Sequence, residues 1–403
     1  MRFFDFEINL ARILKIPAES LLFREETGPE APRPGTPTRT LMEHSEDIRR
    51  RLEKTDEALA RLLAERLELA QELGREAAEE ARQSHGAADD AGLPPGLFEE
   101  ILGRIAREAA KRGKAENFPS SVPQPKPVVI VGGSGGMGRQ LKSHFERSGW
   151  PVRILERGDW DRADEILSGA GTVIVSVPID VTVPVIRQLA GRIPADALLC
   201  DVTSVKTEPV HAMLAAHSGP VAGLHPMFGP DVAGFTGQVF VFAPGRDNAA
   251  AEPLLEQIRI WGARVVEVSA EEHDRAMSII QALRHFTTYA YGTFLAKIHP
   301  DIRQILELSS PIYRLQLEMV GRLFAQDPHL YADIILASPR NAELIRQYVE
   351  NLWPELLVIA GRDREEFIRR FMAARAYFGD YAGQFMRESG RMLNLIQAER
   401  ARK

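Results

Sequence analysis

A short apolar run followed by closely spaced glycines constrains this chain more than any other feature. Residues 127–138 read Pro-Val-Val-Ile-Val-Gly-Gly-Ser-Gly-Gly-Met-Gly. The β-branched run Val128–Val131 reads as a strand of a parallel sheet, buried on both faces. Gly133, Gly135 and Gly138 follow in G-x-G-x-x-G spacing, and a helix is expected over 137–147. In that pattern the first glycine permits a tight turn. The second lets backbone approach a pyrophosphate, and the third lets helix pack on strand. The free N–H groups at the helix start, around Gly136 and Met137, and the helix dipole face the phosphates. A second strand, 152–155, ends in Glu156, about where an acid that binds a ribose diol belongs. The alternative is a loop that packs a helix and binds no phosphate; strand, loop, helix and acid together favour the nucleotide.

The 403 residues suffice for two or three domains. Charged residues at 26% and hydrophobic ones at 44% are ordinary for a soluble globular protein. A net charge of −6 gives no overall reason to expect nucleic acid or an anionic membrane as partner. The single cysteine, Cys200, excludes an intrachain disulfide and suits a reducing compartment. It ends an apolar run and reads as a core residue. Acids near the N-terminus break the apolar segment a signal peptide needs, and no run is long enough to span a bilayer. The expected location is the cytoplasm.

In chain order, residues 1–26 are weakly amphipathic with no assignable function, and 28–38 form a Pro- and Thr-rich linker. A long helix is expected over 46–83, with Ile48, Leu52, Thr55, Leu59, Leu62, Leu69 and Leu73 at helical spacing. Arg66 falls on that stripe and either snorkels to water or meets an anion. Gly92-Leu93-Pro94-Pro95 breaks the chain before a helix over 97–111. Two such helices cannot close a large core alone and are expected to pair with a second copy. A second linker covers 113–127.

Strands are then expected at 128–131, 152–155, 172–177, 197–201, 221–224, 239–242 and 265–268, with helices between most of them. That alternation implies a doubly wound parallel sheet of Rossmann type, binding its ligands at the carboxyl ends of the strands. Ser176, Ser204 with Lys206, and His225 lie just past such ends. His225 sits in Leu-His-Pro-Met-Phe-Gly-Pro, where two prolines and a glycine fix the backbone. A histidine near neutral pKa can take a proton from a hydroxyl as hydride leaves the same carbon; the other reading is a structural histidine capping a loop. Ser269 and Glu272 form a capping box for a helix reaching about residue 297. Arg284 and His285 interrupt its apolar face. Ser310 caps the next helix, with Pro311 at its first position. Arg314 lies in that first turn, where the dipole disfavours a cation. Either an anion binds there or a nearby acid pairs with it. Residues 331–391 read as further helices, in which Trp353, Phe367, Phe371, Tyr377 and Phe378 are packing residues. The apolar helices suggest a dimer core.

Two resemblances follow. Arg49, Asp56, Leu59, Leu62, Leu63, Ala64, Glu65, Arg66, Leu69 and Ala70 match the first helix of the all-helical chorismate mutase domain. In that family two arginines of this helix grip the substrate's carboxylates; they map to Arg49 and Arg66. The catalytic lysine, however, falls at Ala77. The short middle helix is missing between Gln83 and Gly92, and the polar residues of the last helix fall at Ala109 and Gly113. The second resemblance is more specific. Val-Val-Ile-Val-Gly-Gly, Val-Ile-Val-Ser-Val-Pro-Ile, Gly-Leu-His-Pro-Met-Phe-Gly-Pro-Asp, Ile-Gln-Ala-Leu-Arg-His-Phe and Leu-Ser-Ser-Pro-Ile-Tyr-Arg-Leu resemble prephenate dehydrogenase, close to the bacterial bifunctional chorismate mutase/prephenate dehydrogenases.

This resemblance implies oxidative decarboxylation of prephenate to 4-hydroxyphenylpyruvate with NAD, in tyrosine synthesis. By carry-over, His225 accepts the ring hydroxyl's proton, Ser204 helps hold that hydroxyl, Arg314 binds a substrate carboxylate, and His285 lies near substrate or nicotinamide. Gly133, Gly135, Gly136, Met137, Gly138, Glu156 and Ser176 hold the cofactor. Glu156 favours NAD over NADP by repelling a 2′-phosphate; Arg153 and Arg157 nearby leave NADP open. No metal is required. A homodimer is implied, and tyrosine is a candidate feedback inhibitor. The organisation expected is an extension and linker over 1–39, a mutase-like helical segment over 40–116 and a linker over 117–126. An NAD-binding domain over 127–269 and a helical substrate and dimerisation domain over 270–403 follow. Arogenate dehydrogenase, a T-protein with residual mutase activity, and a regulatory or scaffold protein are the rival readings.

A pericyclic rearrangement needs a cation at the breaking ether oxygen, and alanine at position 77 supplies none. Segment 40–116 should therefore turn chorismate over more than roughly tenfold slower than an ordinary mutase. A rate inside that margin contradicts the reading.

Overall fold

The computed structural model describes residues 39–73, 97–112 and 117–400. Residues 1–70 and 71–403 form two compact units. Helix α1, Arg39–Leu73, begins earlier than its leucine spacing predicts. The expected stretch over 74–83, the break at 92–95 and the N-terminal extension lie outside the described residues. Ile48, Leu52, Leu59, Leu62 and Leu69 are exposed along α1, Leu62 at 62%. Among the described residues nothing covers this apolar stripe. Helix α2 spans Leu97–Arg112, with Leu102 and Ala109 buried.

A seven-stranded sheet in the order β2-β1-β3-β4-β5-β6-β7 follows. The strands are β1 Val128–Val131, β2 Val152–Leu155, β3 Thr172–Val175, β4 Leu198–Asp201, β5 Val221–Pro226, β6 Val239–Arg246 and β7 Arg264–Glu267. Between them lie α3 Gly136–Arg147, α4 Ala163–Leu167, α5 Ile179–Gln188, α6 Thr207–Ala216 and α7 Glu252–Ile260. β1, β3 and β4 are buried at every position, which is why their sequences are continuous apolar runs rather than alternating ones. Two cores result. Ile130, Phe145, Ile174, Phe240 and Trp261 belong to one, and Val131, Leu155, Val175, Leu199 and Met213 to the other.

The sheet is not wholly parallel. β5 and β6 pair antiparallel, with His225 opposite Val241. The connection over 227–238 contains no helix, so nothing carries the chain across the sheet and it turns back on itself. The same pairing extends β5 through His225 and Pro226. His225 is therefore a strand residue near the carboxyl end, not a loop residue beyond it.

The expected capping box of Ser269 and Glu272 opens α8, Ala270–Met277. The helix then continues through a π-helical turn, Ser278–Leu283, into α9, Arg284–Ile298, so the single long helix of the sequence carries a π-bulge at its middle. Such bulges are common at functional sites. α10 Ile302–Leu308, α11 Pro311–Phe324, α12 Pro328–Leu336, α13 Pro339–Ala360, α14 Arg364–Phe378 and α15 Asp380–Arg400 complete the chain. Ser310 caps α11 through the Tyr313 N–H, with Pro311 at the first helical position. The aromatic set of the last helices is not packed within one chain. Trp353 is 64% exposed and Tyr377 87%, with Phe367, Phe371 and Phe378 also exposed. An apolar surface of this extent marks an interface.

Gly138 lies close against main chain in the nucleotide loop. A Cβ there would stand 2.6 Å from the Gly132 carbonyl oxygen and 2.7 Å from the Gly133 Cα. Both are main-chain atoms that cannot swing away. Gly138→Ala should lower stability by about 1–3 kcal/mol, read from the urea midpoint; an unchanged midpoint contradicts this packing.

Candidate active site

The carboxyl ends of β1 and β3 stand side by side, with β2 on one flank and β4 on the other. This is where the strand order reverses and a ligand crevice opens. Gly132 turns the chain out of β1 with φ of +79°. Its Cβ position is filled by the Ser176 carbonyl at 2.5 Å, which places Ser176 against the loop. Gly135 donates its N–H to the Gly132 carbonyl at 3.1 Å and is the N-cap of α3, with no side-chain cap. The helix start at Gly136, Met137 and Gly138 is thus left to a ligand. Glu156 follows β2 and accepts the Ser134 N–H at 2.7 Å, so its carboxylate lies at the same loop. A cavity of about 420 Å³ beside the helix start is lined by Gly136, Arg139, Gln140, Ser143, Pro230 and Asp231. These residues fit a dinucleotide: a Cβ-free loop, an uncapped helix start and an acid at the ribose position.

A polar column lies deeper. His225 Nδ1 is 2.8 Å from His273 Nε2, and His273 Nδ1 is 2.8 Å from Asp274 Oδ1. Asp274 is itself held by backbone: Lys206 N–H donates to Oδ1 at 2.8 Å and Thr207 N–H to Oδ2 at 2.9 Å. Burial alone would raise the Asp274 carboxyl, but the bonds from His273, Thr207 and Lys206 override it and lower the pKa to about 2. His225 is 3% exposed and His273 1%. Desolvation, then the neighbouring His273 and Lys206, push the His225 imidazole well below its usual pKa; Asp274 opposes them. Lys206 is fully buried and its ammonium bonds Asp201, also fully buried. Burial pushes Asp201 up and Lys206 down, and their mutual attraction opposes both shifts. Ser204 sits half-buried between these two residues, in the loop after β4.

The outer nitrogen of His225, Nε2, faces Gln281 of the π turn at 3.4 Å. One turn further along, His285 packs edge-on to Tyr331, with ring centroids 4.9 Å apart. Arg284 donates to His285 Nδ1 at 3.1 Å. Burial, then Arg284, lowers the His285 pKa to about 4. Tyr331 feels Arg284, Arg322 and Asp231, and Arg322 pairs with Asp231. Asp231 lies beside Pro230, which touches the helix start through the Gly136 position. Two guanidiniums, a neutral imidazole and a phenol therefore form one cluster, which reaches the nucleotide loop through Asp231.

Arg314 has Glu318 as an ion-pair partner, 3.9 Å away. On α1, Arg49 is exposed and Arg66 half-buried. They stand about 25 Å apart at 1.5 Å per residue, too far for one small diacid to touch both from one helix. Sequence reading missed His273, Asp274, Gln281, Asp231 and Arg322. His273 and Asp274 sit in a run of charged residues behind a capping box, where a solvated helix start is the ordinary expectation. Their partners lie 48 and 68 positions away. Among the described residues no group of His, Cys, Asp and Glu could hold a metal ion, and no helix is long and apolar enough to cross a membrane.

Residues 155–267 match the family described as prephenate dehydrogenase, nucleotide-binding domain, and residues 269–373 match prephenate dehydrogenase, dimerization domain. The chain is 46% identical to the T-protein of Enterobacter agglomerans over 360 residues, covering 86% of this chain and 96% of that one. It is 41% identical to the T-protein of Haemophilus influenzae, over 88% and 97% of the two chains. It is 30% identical to a probable arogenate/prephenate dehydrogenase of Methanocaldococcus jannaschii, over 63% and 61%.

The His225 environment has a direct consequence. Its imidazole should titrate with a midpoint well below pH 6.5, so that it is neutral and basic at pH 7. NMR of histidine-labelled protein, with His225→Asn for assignment, measures this; a midpoint at or above the usual value contradicts it.

Proposed function

The chain belongs to the prephenate dehydrogenase family, among its T-proteins, and from that premise we propose that it oxidatively decarboxylates prephenate with NAD. The observation that carries the reading is His225. It is a buried neutral imidazole whose outward nitrogen faces Gln281, one turn before Arg284 and His285, in a chain that spans 96% of a T-protein at 46% identity.

The residues divide the work. His225 takes the ring hydroxyl's proton at Nε2 as hydride leaves the same carbon; carbon dioxide departs and the ring becomes aromatic. NAD, when bound, accepts that hydride. The glycine loop, the start of α3, Glu156 and Ser176 hold it, and Glu156 disfavours a 2′-phosphate. Arg322 and Arg284 bind the carboxylates of the diacid, with His285 and Tyr331 between them. Arg322 currently shares its charge with Asp231, so the diacid competes with that carboxylate for it. Arg314 is the alternative carboxylate anchor. The tie of Arg322, through Asp231, to the loop beside the helix start makes it the better assignment. Ser204, next to the Lys206–Asp201 pair, helps hold the hydroxyl. The matched dimerization domain and the exposed aromatic helices support a homodimer; tyrosine as inhibitor rests on resemblance alone.

Purified protein should form NADH with prephenate, and more slowly with arogenate. His225→Asn should lower kcat by at least about a hundredfold with NAD binding near normal. Unchanged turnover removes His225 from the reaction. Arg322→Gln should raise KM for prephenate by an amount equivalent to about 2–4 kcal/mol, and Arg314→Gln by less. The reverse order returns the anchor to Arg314.

A further inference from the structure

We propose that His273 and Asp274 are positioning residues for the proton transfer: they fix His225 in the tautomer that presents a lone pair at Nε2, and they stabilise the imidazolium formed when that lone pair takes the hydroxyl proton. The inference rests on the function proposed above and deepens it. Asp274 is anchored by the Lys206 and Thr207 N–H groups and accepts from His273 Nδ1. With His273 neutral, its proton is on Nδ1 and its Nε2 carries a lone pair. That lone pair can only accept, so His225 Nδ1 donates to it across 2.8 Å. One proton remains on His225, at Nδ1, and Nε2 is left bare toward the Gln281 amide. The order carboxylate, imidazole, base is that of a hydrolase triad with one imidazole added.

Charge favours the same arrangement. A proton arriving at Nε2 makes His225 cationic in a site 3% exposed, where an unpaired charge is costly. Lys206 faces the same imidazole and opposes the charge, while Asp201 offsets Lys206. Asp274 is the acid that favours the cation, acting through the Nδ1–H to Nε2 and Nδ1–H to carboxylate bonds. Its side chain is 28% exposed, so the column ends at the edge of solvent rather than in the core. Neither His273 nor Asp274 has a free atom aimed at Gln281 or the arginine cluster; they act through His225.

The test uses the full chain with prephenate and NAD. Wild type should show a proton on His225 Nδ1 by long-range nitrogen–proton NMR. His273→Phe should lose that signature and lower kcat by at least about a hundredfold. KM for both substrates should stay within about threefold, since neither residue reaches a ligand. His273→Gln, whose carbonyl accepts from His225 and whose amide donates to Asp274, should recover at least about tenfold of the loss. Asp274→Asn removes the anion, so the imidazolium is less favoured. The acid limb of kcat/KM should move to lower pH while kcat falls by at least about tenfold. Thermal midpoints and NAD affinity establish that the variants fold. Three results overturn the proposal: His273→Phe within about threefold of wild-type kcat, His273→Gln no better than His273→Phe, or an unmoved acid limb in Asp274→Asn. His225→Asn in the same assay separates the two claims. If it too leaves turnover intact, the functional reading fails; if it abolishes turnover while the other variants do not, only the positioning role fails.

Discussion

The buried hydrogen-bonded column from Asp274 through His273 to His225 joins the two halves of the catalytic unit. His225 comes from the strand β5, His273 and Asp274 from the first helix of the all-helical region. Asp274 is fastened back to the sheet domain by two backbone N–H groups at the start of α6. A carboxylate receiving such bonds stays ionised even where burial opposes it. The Lys206–Asp201 pair stands near His225. Such a pair is weak evidence for stability; its effect here is electrostatic, a positive charge held close to an imidazole that must be neutral to work.

The nucleotide cradle depends on close backbone approach, and its geometry sets where the substrate can sit. Gly138 lies against Gly132 and Gly133, and Gly136 lies against Pro230. The 227–238 connection therefore reaches from the carboxyl end of β5 to the start of α3. Gln140 of α3 donates to the Pro230 carbonyl at 3.0 Å, and Asp231 in the same loop pairs with Arg322 of α11. The helix α3, the strand β5 and the helix α11 are thus coupled by one short segment with two prolines and three glycines nearby. That is a compact way to hold two ligands in register, which supplies much of the rate in a reaction needing only one proton removed.

The sheet domain was readable because its signals are local. Continuous β-branched runs, a glycine loop and a capping box each act within a dozen residues, and all seven strands lie where the chain predicted them to within a few positions. The antiparallel β5–β6 pair was not, because orientation depends on the absence of a crossover helix in 227–238 rather than on any residue present. The π turn at 278–283 was hidden inside a good amphipathic pattern. In the site, His225 and the glycine loop were legible from strand ends. His273, Asp274 and Arg322 were not, because a charged residue on a helix ordinarily faces water, and only tertiary structure supplies a partner 48 to 91 positions away. Arg314 drew attention through a local cost, a cation in a helix's first turn, which Glu318 one turn on relieves.

The central claim is that His225 meets the ring hydroxyl through Nε2, with nicotinamide on the carbon that bears it. A crystal structure of the chain with NAD and a non-reacting phenolic carboxylate reads this most directly. His225 Nε2 should stand within about 3 Å of the phenolic oxygen, with the nicotinamide face over the adjoining carbon and the carboxylate at Arg322. A phenolic oxygen bound away from His225, or one approached by Nδ1 instead, contradicts it.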